Sequence, residues 1–294
     1  MDIFSYLLGK QQGGSSSGDR DWSEIGYSSE PESIQDGFDY AKNIKDNWNS
    51  SVTTLSNKFN GDTNLIYMPL VDTSNVTNMQ RMFYNCYSLV EIPFIDTSNV
   101  TFGLEMFYNC SSLKNVPLLN FSKINALNNM FYNCASLKEI PLFDISEATQ
   151  TPNMFYNCNS LEAIPALNTS KVIDMTAFVA ECLSLKTIQE LNLEQARNLS
   201  SAFKNCTSLT NLGGFLNLGQ NYPLNSAANN YSLTLNISAS NKLTHESLMN
   251  VINKVYDIAA KGVATQKITI GNTNIAKLTA EEIVIATNKG WSIS

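Results

Sequence analysis

Met82-Phe83-Tyr84-Asn85-Cys86, followed by Ser88-Leu89 and Ile92-Pro93, is the stretch that decides the fold. It returns as Met106 to Cys110 with Ser112-Leu113 and Val116-Pro117, then at Met130 to Cys134 and at Met154 to Cys158. Two degraded copies end in Cys182 and Cys206, so all six cysteines lie 24 residues apart without insertion or deletion. A fixed period of this length is the signature of a solenoid, in which each unit buries its apolar face only against its neighbours.

Comparing the copies sorts core from surface. The columns Val71, Ile95, Leu119, Phe143, Leu167, Leu191, Phe215 and Leu65, Leu89, Leu113, Leu137, Leu161, Leu185, Leu209 are apolar in every copy and are expected to face inward. The column Leu70, Phe94, Leu118, Leu142, Ala166, Glu190, Gly214 drifts, as a surface position does, and the pairs Val90-Glu91, Lys114-Asn115, Lys138-Glu139, Glu162-Ala163, Lys186-Thr187 and Thr210-Asn211 vary and are mostly polar. These positions are expected to line the sheet face. They give a candidate binding face of Glu91, Phe94, Lys114, Asn115, Leu118, Lys138, Glu139, Leu142, Glu162 and Lys186.

Within a unit, Met79, Met82, Phe83 and Cys86 fall at i, i+3, i+4 and i+7, one face of a helix. Thr73, Ser74 and Asn75 stand before them as N-cap residues. The sequence therefore predicts an α/β solenoid of 24-residue strand–turn–helix repeats, with a parallel sheet on one side and a row of helices on the other. Pro93, Pro117, Pro141 and Pro165 cannot donate a backbone hydrogen bond, so each strand must be short or stop there.

The cysteines occupy one structural slot. None forms a CxxC pair, which speaks against zinc. Neighbouring rungs about 4.8 Å apart are within disulfide reach, but a stack of buried free thiols is the expected arrangement. Tyr84, Tyr108, Tyr132 and Tyr156 form an aromatic column. Packing between rungs is its expected role, and a platform for sugar rings is the functional alternative. Asp72, Asp96 and Asp144 share a column with Asn120, Asn168 and Asn192. That exchange suits a turn hydrogen bond made by either residue, against a calcium ladder.

The flanks divide the chain into 1–20, an apolar peptide and Gly/Ser linker; 21–61, an N-terminal helical cap; 62–216, the solenoid; and 217–294, C-terminal capping repeats. Ile3, Phe4, Tyr6, Leu7 and Leu8 before the linker are a candidate docking peptide, with a frayed terminus as the alternative. Residues 31–49 carry Ile34, Phe38, Ala41, Ile44 and Trp48 on one helical face. After a loop at 217–231, Leu233–Ile237, a helix bearing Leu248, Val251, Ile252, Val255 and Ile258, a strand at 267–270, a helix opened by the Thr279/Glu282 capping box and closed by Gly290, and a strand at 291–293 read as β-α-β-α-β.

A net charge of −7 and an isoelectric point of about 4.8 speak against nucleic acid and against a polybasic membrane patch. No apolar run reaches the roughly 18–20 residues of a membrane helix, so no membrane insertion is expected. The N-terminus reads as not a secretory signal. His245 is the only histidine, and no nucleophile motif, phosphate loop or paired carboxylate accompanies it. No cofactor, metal or catalytic residue is expected, and a hydrolase acting on envelope polysaccharide is the least favoured reading.

The units typified by residues 72–93, DTSNVTNMQRMFYNCYSLVEIP, resemble the BspA-like leucine-rich repeats of bacterial surface proteins and of phage-encoded tail-associated proteins. The resemblance covers Leu65 to Phe215 and weakens at 178–182 and 202–206, where Met-Phe-Tyr is lost. It implies a curved α/β leucine-rich-repeat solenoid used in binding and adhesion. The expected function is a non-enzymatic protein displayed on a virion, binding a protein or glycan on a host cell surface and held to a virion protein through the N-terminal peptide. A bacterial cell-surface adhesin is the alternative.

Overall fold

The computed structural model describes residues 38–221 and 233–294. The expected docking peptide, residues 31–37 of the expected first helix and the loop at 222–232 lie outside them. The chain opens on α1 (Phe38–Asp46). Next comes a stack of 24-residue rungs with short parallel strands, β1 (Ala163–Ile164), β2 (Thr187–Ile188), β3 (Leu191–Asn192), β4 (Asn211–Leu212) and β5 (Phe215–Leu216). The C-terminal part is β6 (Leu235–Asn236), α2 (His245–Lys254), β7 (Gln266–Thr269), α3 (Asn272–Ile275), α4 (Ala280–Asn288) and β8 (Trp291–Ile293). Strands pair in parallel as β1-β2-β4, β3-β5 and β6-β7-β8.

The register repeats with the sequence period: Ala163 pairs with Thr187, Thr187 with Asn211, and Leu191 with Phe215. Regular strands emerge only where proline leaves the outward column. Gln189 and Gly213 occupy the place of Pro93, Pro117, Pro141 and Pro165, and their N–H groups donate to Ile164 O and Ile188 O at 3.0 and 2.8 Å. The earlier prolines have no such proton to give.

The opposite side is not the predicted row of helices. Met82 N–H donates to Met79 O and Cys86 N–H to Phe83 O, closing successive four-residue turns, while Met79, Arg81, Phe83 and Asn85 donate to Phe102 O, Leu104 O, Met106 O and Tyr108 O of the next rung. A helix would have sent those protons four residues back along its own chain. Arg81 and Asn85 have φ of 56° and 59°, and the same two columns are left-handed at Glu105 and Asn109, Asn129 and Asn133, Asn153 and Asn157, Ala177 and Glu181, Ser201 and Asn205. Such residues cannot sit inside a right-handed helix. The i, i+3, i+4, i+7 pattern survives because a spiral of turns also brings Met79, Met82, Phe83 and Cys86 to one side, where all are buried.

Thr73, Ser74 and Asn75 consequently cap no helix. Asp72 and its column instead close Asx turns: Ser74, Ser98, Ser122, Ser146, Ser170 and Glu194 donate their N–H to the side-chain oxygen two residues back at 2.8–3.2 Å. The Ser74 N–H, helped by its hydroxyl, holds the Asp72 carboxyl below its ordinary range, and the Ser146 hydroxyl and N–H do the same for Asp144.

The interior is a set of columns. Every thiol is free and buried, and its Sγ donates to the carbonyl 27 residues earlier, from Cys86 to Phe59 O through Cys206 to Val179 O. Burial pushes the thiols up, Cys86 to about 12 and Cys110, Cys134 and Cys182 well above the ordinary value. Phe59, Phe83, Phe107, Phe131 and Phe155 stack with centroids 5.2–5.7 Å apart. In the first degraded copy the large ring moves one residue, to Phe178 in the methionine column, where it meets Phe155 edge-on, while Val179 takes the phenylalanine slot. Volume is thus conserved across two neighbouring columns, which cores tolerate best.

The ladder starts upstream of the expected boundary. Leu55, Asn57, Phe59 and Gly61 donate to Asn78 O, Gln80 O, Met82 O and Tyr84 O, so a rung occupies part of the stretch assigned to the 21–61 cap. It was hidden because Asp62 stands in the cysteine column and Gly61 in that of Asn85. Asp62 accepts the Tyr40 hydroxyl at 2.6 Å and the N–H groups of Asn64 and Leu65, fixing α1 to this rung.

At the other end α2 seals the β4 edge with side chains. Ser247 Oγ accepts Leu212 N–H, Asn250 Nδ2 donates to Leu212 O, and Lys254 Nζ donates to Gly213 O. Thr279 and Glu282 form the full capping box of α4. Lys289 Nζ donates to the last carbonyls of α2, at Ile252, Asn253 and Val255.

Candidate functional site

The strand face lies between three inward columns. Those of Leu89, Ile92 and Ile95 are buried in every rung, so the two residues between each pair of them turn outward. Of the expected face, Lys114, Asn115, Leu118, Lys138, Glu139, Leu142, Glu162 and Lys186 are exposed, and Glu91 and Phe94 are half-buried. Leu118 is 57% and Leu142 59% exposed, values that set them apart from the buried leucines of the repeat. With Phe94 and Ala166 they form an apolar stripe across four rungs, about 14 Å long at strand spacing.

Charges flank the stripe. Lys186 Nζ lies 2.8 Å from Glu162 one rung away, and this pairing lowers the Glu162 carboxyl, although both groups are solvated. Burial raises the Glu91 carboxyl, with Lys114 pulling the other way. One outward position departs from expectation. Val90 is buried against Tyr67 and Ala41, because α1 lies over the first rungs of the face. Gly214 at the far end of the drifting column is also buried, with α2 backbone beside it. The open face is therefore bounded by a helix at each end.

The tyrosine column is packing. Tyr84, Tyr108, Tyr132 and Tyr156 stack at 4.6–4.8 Å and within 9° of parallel. Both faces of Tyr108 and Tyr132 are covered by neighbouring rings, so neither offers a face to a sugar. Beside them Asn109, Asn133 and Asn157 each donate Nδ2 to the asparagine one rung earlier at 2.6–3.0 Å. His245 opens α2, and its Nε2 lies 2.9 Å from Glu282 Oε1, tying α2 to α4. Among the described residues no group of three or more His, Cys, Asp or Glu could hold a metal ion, and no helix is long and apolar enough to cross a membrane.

A cavity of about 200 Å³, absent from the expected site, lies where the strand face meets α2. Thr187, Gln189, Asn211 and Gly213 line it from the rungs, and Thr244, Glu246, Ser247 and Asn250 from the helix. The signal for it in the sequence is the change of the proline column to Gln189 and then Gly213.

The family described as "Mycoplasma protein of unknown function, DUF285" matches residues 32–142 and 125–226. No curated protein matches the chain. Among solved structures, the leucine-rich-repeat protein of T. pallidum is 19% identical with a TM-score of 0.32, over 53% of this chain and 73% of that one.

Proposed function

This chain belongs to the DUF285 family, and we propose that it is a non-enzymatic binding protein of the leucine-rich, BspA-like repeat type whose strand face is its recognition surface. The observation that carries the reading is the exposure of Leu118 and Leu142 in a column whose residues change from rung to rung. The other repeated side chains serve the stack: thiols on carbonyls, phenylalanines on phenylalanines, asparagines on asparagines. The strand face is free of that duty. An apolar centre with a charged rim is also the usual composition of a protein-binding patch.

The surface served is that of a host cell, and the ligand a protein or glycan on it. The protein is displayed on a virion and anchored through Ile3, Phe4, Tyr6, Leu7 and Leu8; display on a bacterial envelope is the second reading. The similarity of residues 72–93 to repeats of both settings supports these assignments. Binding of the purified chain to intact cells tests the face. Leu118→Ser with Leu142→Ser should abolish retention without lowering the melting temperature by more than a few degrees, and undiminished retention sinks the assignment. Deleting residues 1–18 should remove the protein from particles while leaving cell binding intact.

A further inference from the structure

The cavity at the end of the strand face is a product of two neighbouring columns. Thr187 and Asn211 stand side by side in register on β2 and β4. One step along, Gln189 is followed in the next rung by Gly213, held so close to the Glu190 backbone that a Cβ would sit 2.3 Å from its amide nitrogen. No side chain can stand at 213, so the β4 rung offers only bare backbone there, and α2 forms the opposite wall. Ser247 and Asn250 are committed to the β4 backbone, through Leu212 N–H and Leu212 O. The side chains of Thr187, Gln189, Asn211 and Glu246 line the cavity with no hydrogen bond among the described residues.

This set has a definite chemistry. Two carboxamides each present a donor and an acceptor in one plane, a hydroxyl does both, and a carboxylate accepts hydrogen bonds at both oxygens. Vicinal hydroxyls of a sugar ring match such groups in pairs. The lining holds neither Lys nor Arg, so an anionic ligand would meet Glu246 uncompensated. It holds no aromatic ring, and polar groups outweigh the apolar contribution of Ile188 and Leu212, which disfavours an apolar side chain. At about 200 Å³ the space is below the range of drug-sized pockets and suits one small ring.

We propose that this cavity is a subsite for a single neutral pyranose residue of a glycan, resting on the reading of the strand face as the recognition surface. The experiment uses the full chain with free glucose, galactose, mannose and N-acetylglucosamine, and glucuronic acid as the anionic control, followed by saturation-transfer NMR and calorimetric titration. At least one neutral sugar should bind. Asn211→Leu and Glu246→Gln should each weaken it about tenfold, the loss of one good hydrogen bond to a charged or amide group, with an unchanged melting temperature. Leu118→Ser should leave the sugar's affinity alone. Absence of binding by all four neutral sugars, binding that survives both cavity variants, or tighter binding of glucuronic acid overturns the subsite. Cell retention that still depends on Leu118 and Leu142 in such a case would leave the recognition face standing and remove only the cavity from it.

Discussion

Ser201 offers a test of sign for the turn spiral. It sits exposed at φ 56° in a column whose other members are also left-handed. An L-residue pays about 1–2 kcal/mol there, whereas glycine adopts the conformation freely but loses roughly 0.5–1 kcal/mol more chain entropy on folding. Ser201→Gly should therefore stabilise the protein by about 0.5–1 kcal/mol. Ser201→Val should destabilise it by at least about 1 kcal/mol, because a β-branched residue tolerates positive φ worst. A helix at 199–206, as the apolar spacing suggests, predicts the reverse order, with glycine about 0.3–0.5 kcal/mol worse than serine. The assay is urea unfolding of the three proteins, read as midpoints once equal slopes are verified, because repeat arrays can leave two-state behaviour. A Ser201→Gly midpoint below that of the parent, with Ser201→Val at or above the parent, would refute the left-handed turn.

The thiols make stability fall with alkali. Their ordinary value is 9.0 and burial raises them, so above pH 9 the unfolded chain releases protons that the native chain keeps. Each thiol then costs about 1.4 kcal/mol per pH unit between its ordinary value and its folded value. Urea midpoints between pH 8 and 10.5 should drop steeply, and a flat profile would mean the thiols are solvated. Tyr132→Leu should cost about 1–3 kcal/mol by the same assay, since it breaks two stacks, and Tyr156→Leu about half as much, since it breaks one; equal costs would argue against stacking as the source. Asp62→Ala should cost about 1–2 kcal/mol and speed hydrogen exchange over α1, because the Tyr40 hydroxyl loses its acceptor; unchanged protection would place the anchor elsewhere.

The period and the inward columns could be read directly from the residues, because both rest on apolar spacing repeated without gaps; past Phe215 that period ends, and the short α3 between β7 and α4 carries no such signal. The turn spiral could not, since Met79, Met82, Phe83 and Cys86 satisfy a helical face as well as a turn face. What separated the two was polar: Asn85, Asn109, Asn133 and Asn157 hold one phase, and asparagine is the residue that most readily takes positive φ after glycine. The upstream rung carries no such landmarks, because Gly61 and Asp62 stand in the asparagine and cysteine columns. Exposure of Leu118 and Leu142 was legible from column drift, whereas burial of Val90 was not, since it depends on where α1 comes to lie. The cavity likewise depends on α2 approaching Gly213 from more than 30 residues downstream, as its bond between Asn250 and Leu212 shows.

Counting accessible thiols against time bears most directly on the sealed stack of rungs. With a small aromatic disulfide reagent at pH 8, the native protein should show almost no reaction over the dead time of mixing and slow labelling thereafter, and all six sulfurs should react at once in denaturant. Two or more sulfurs reacting rapidly in the native protein, or fewer than six found after unfolding without reductant, would contradict a continuous dry interior of free thiols.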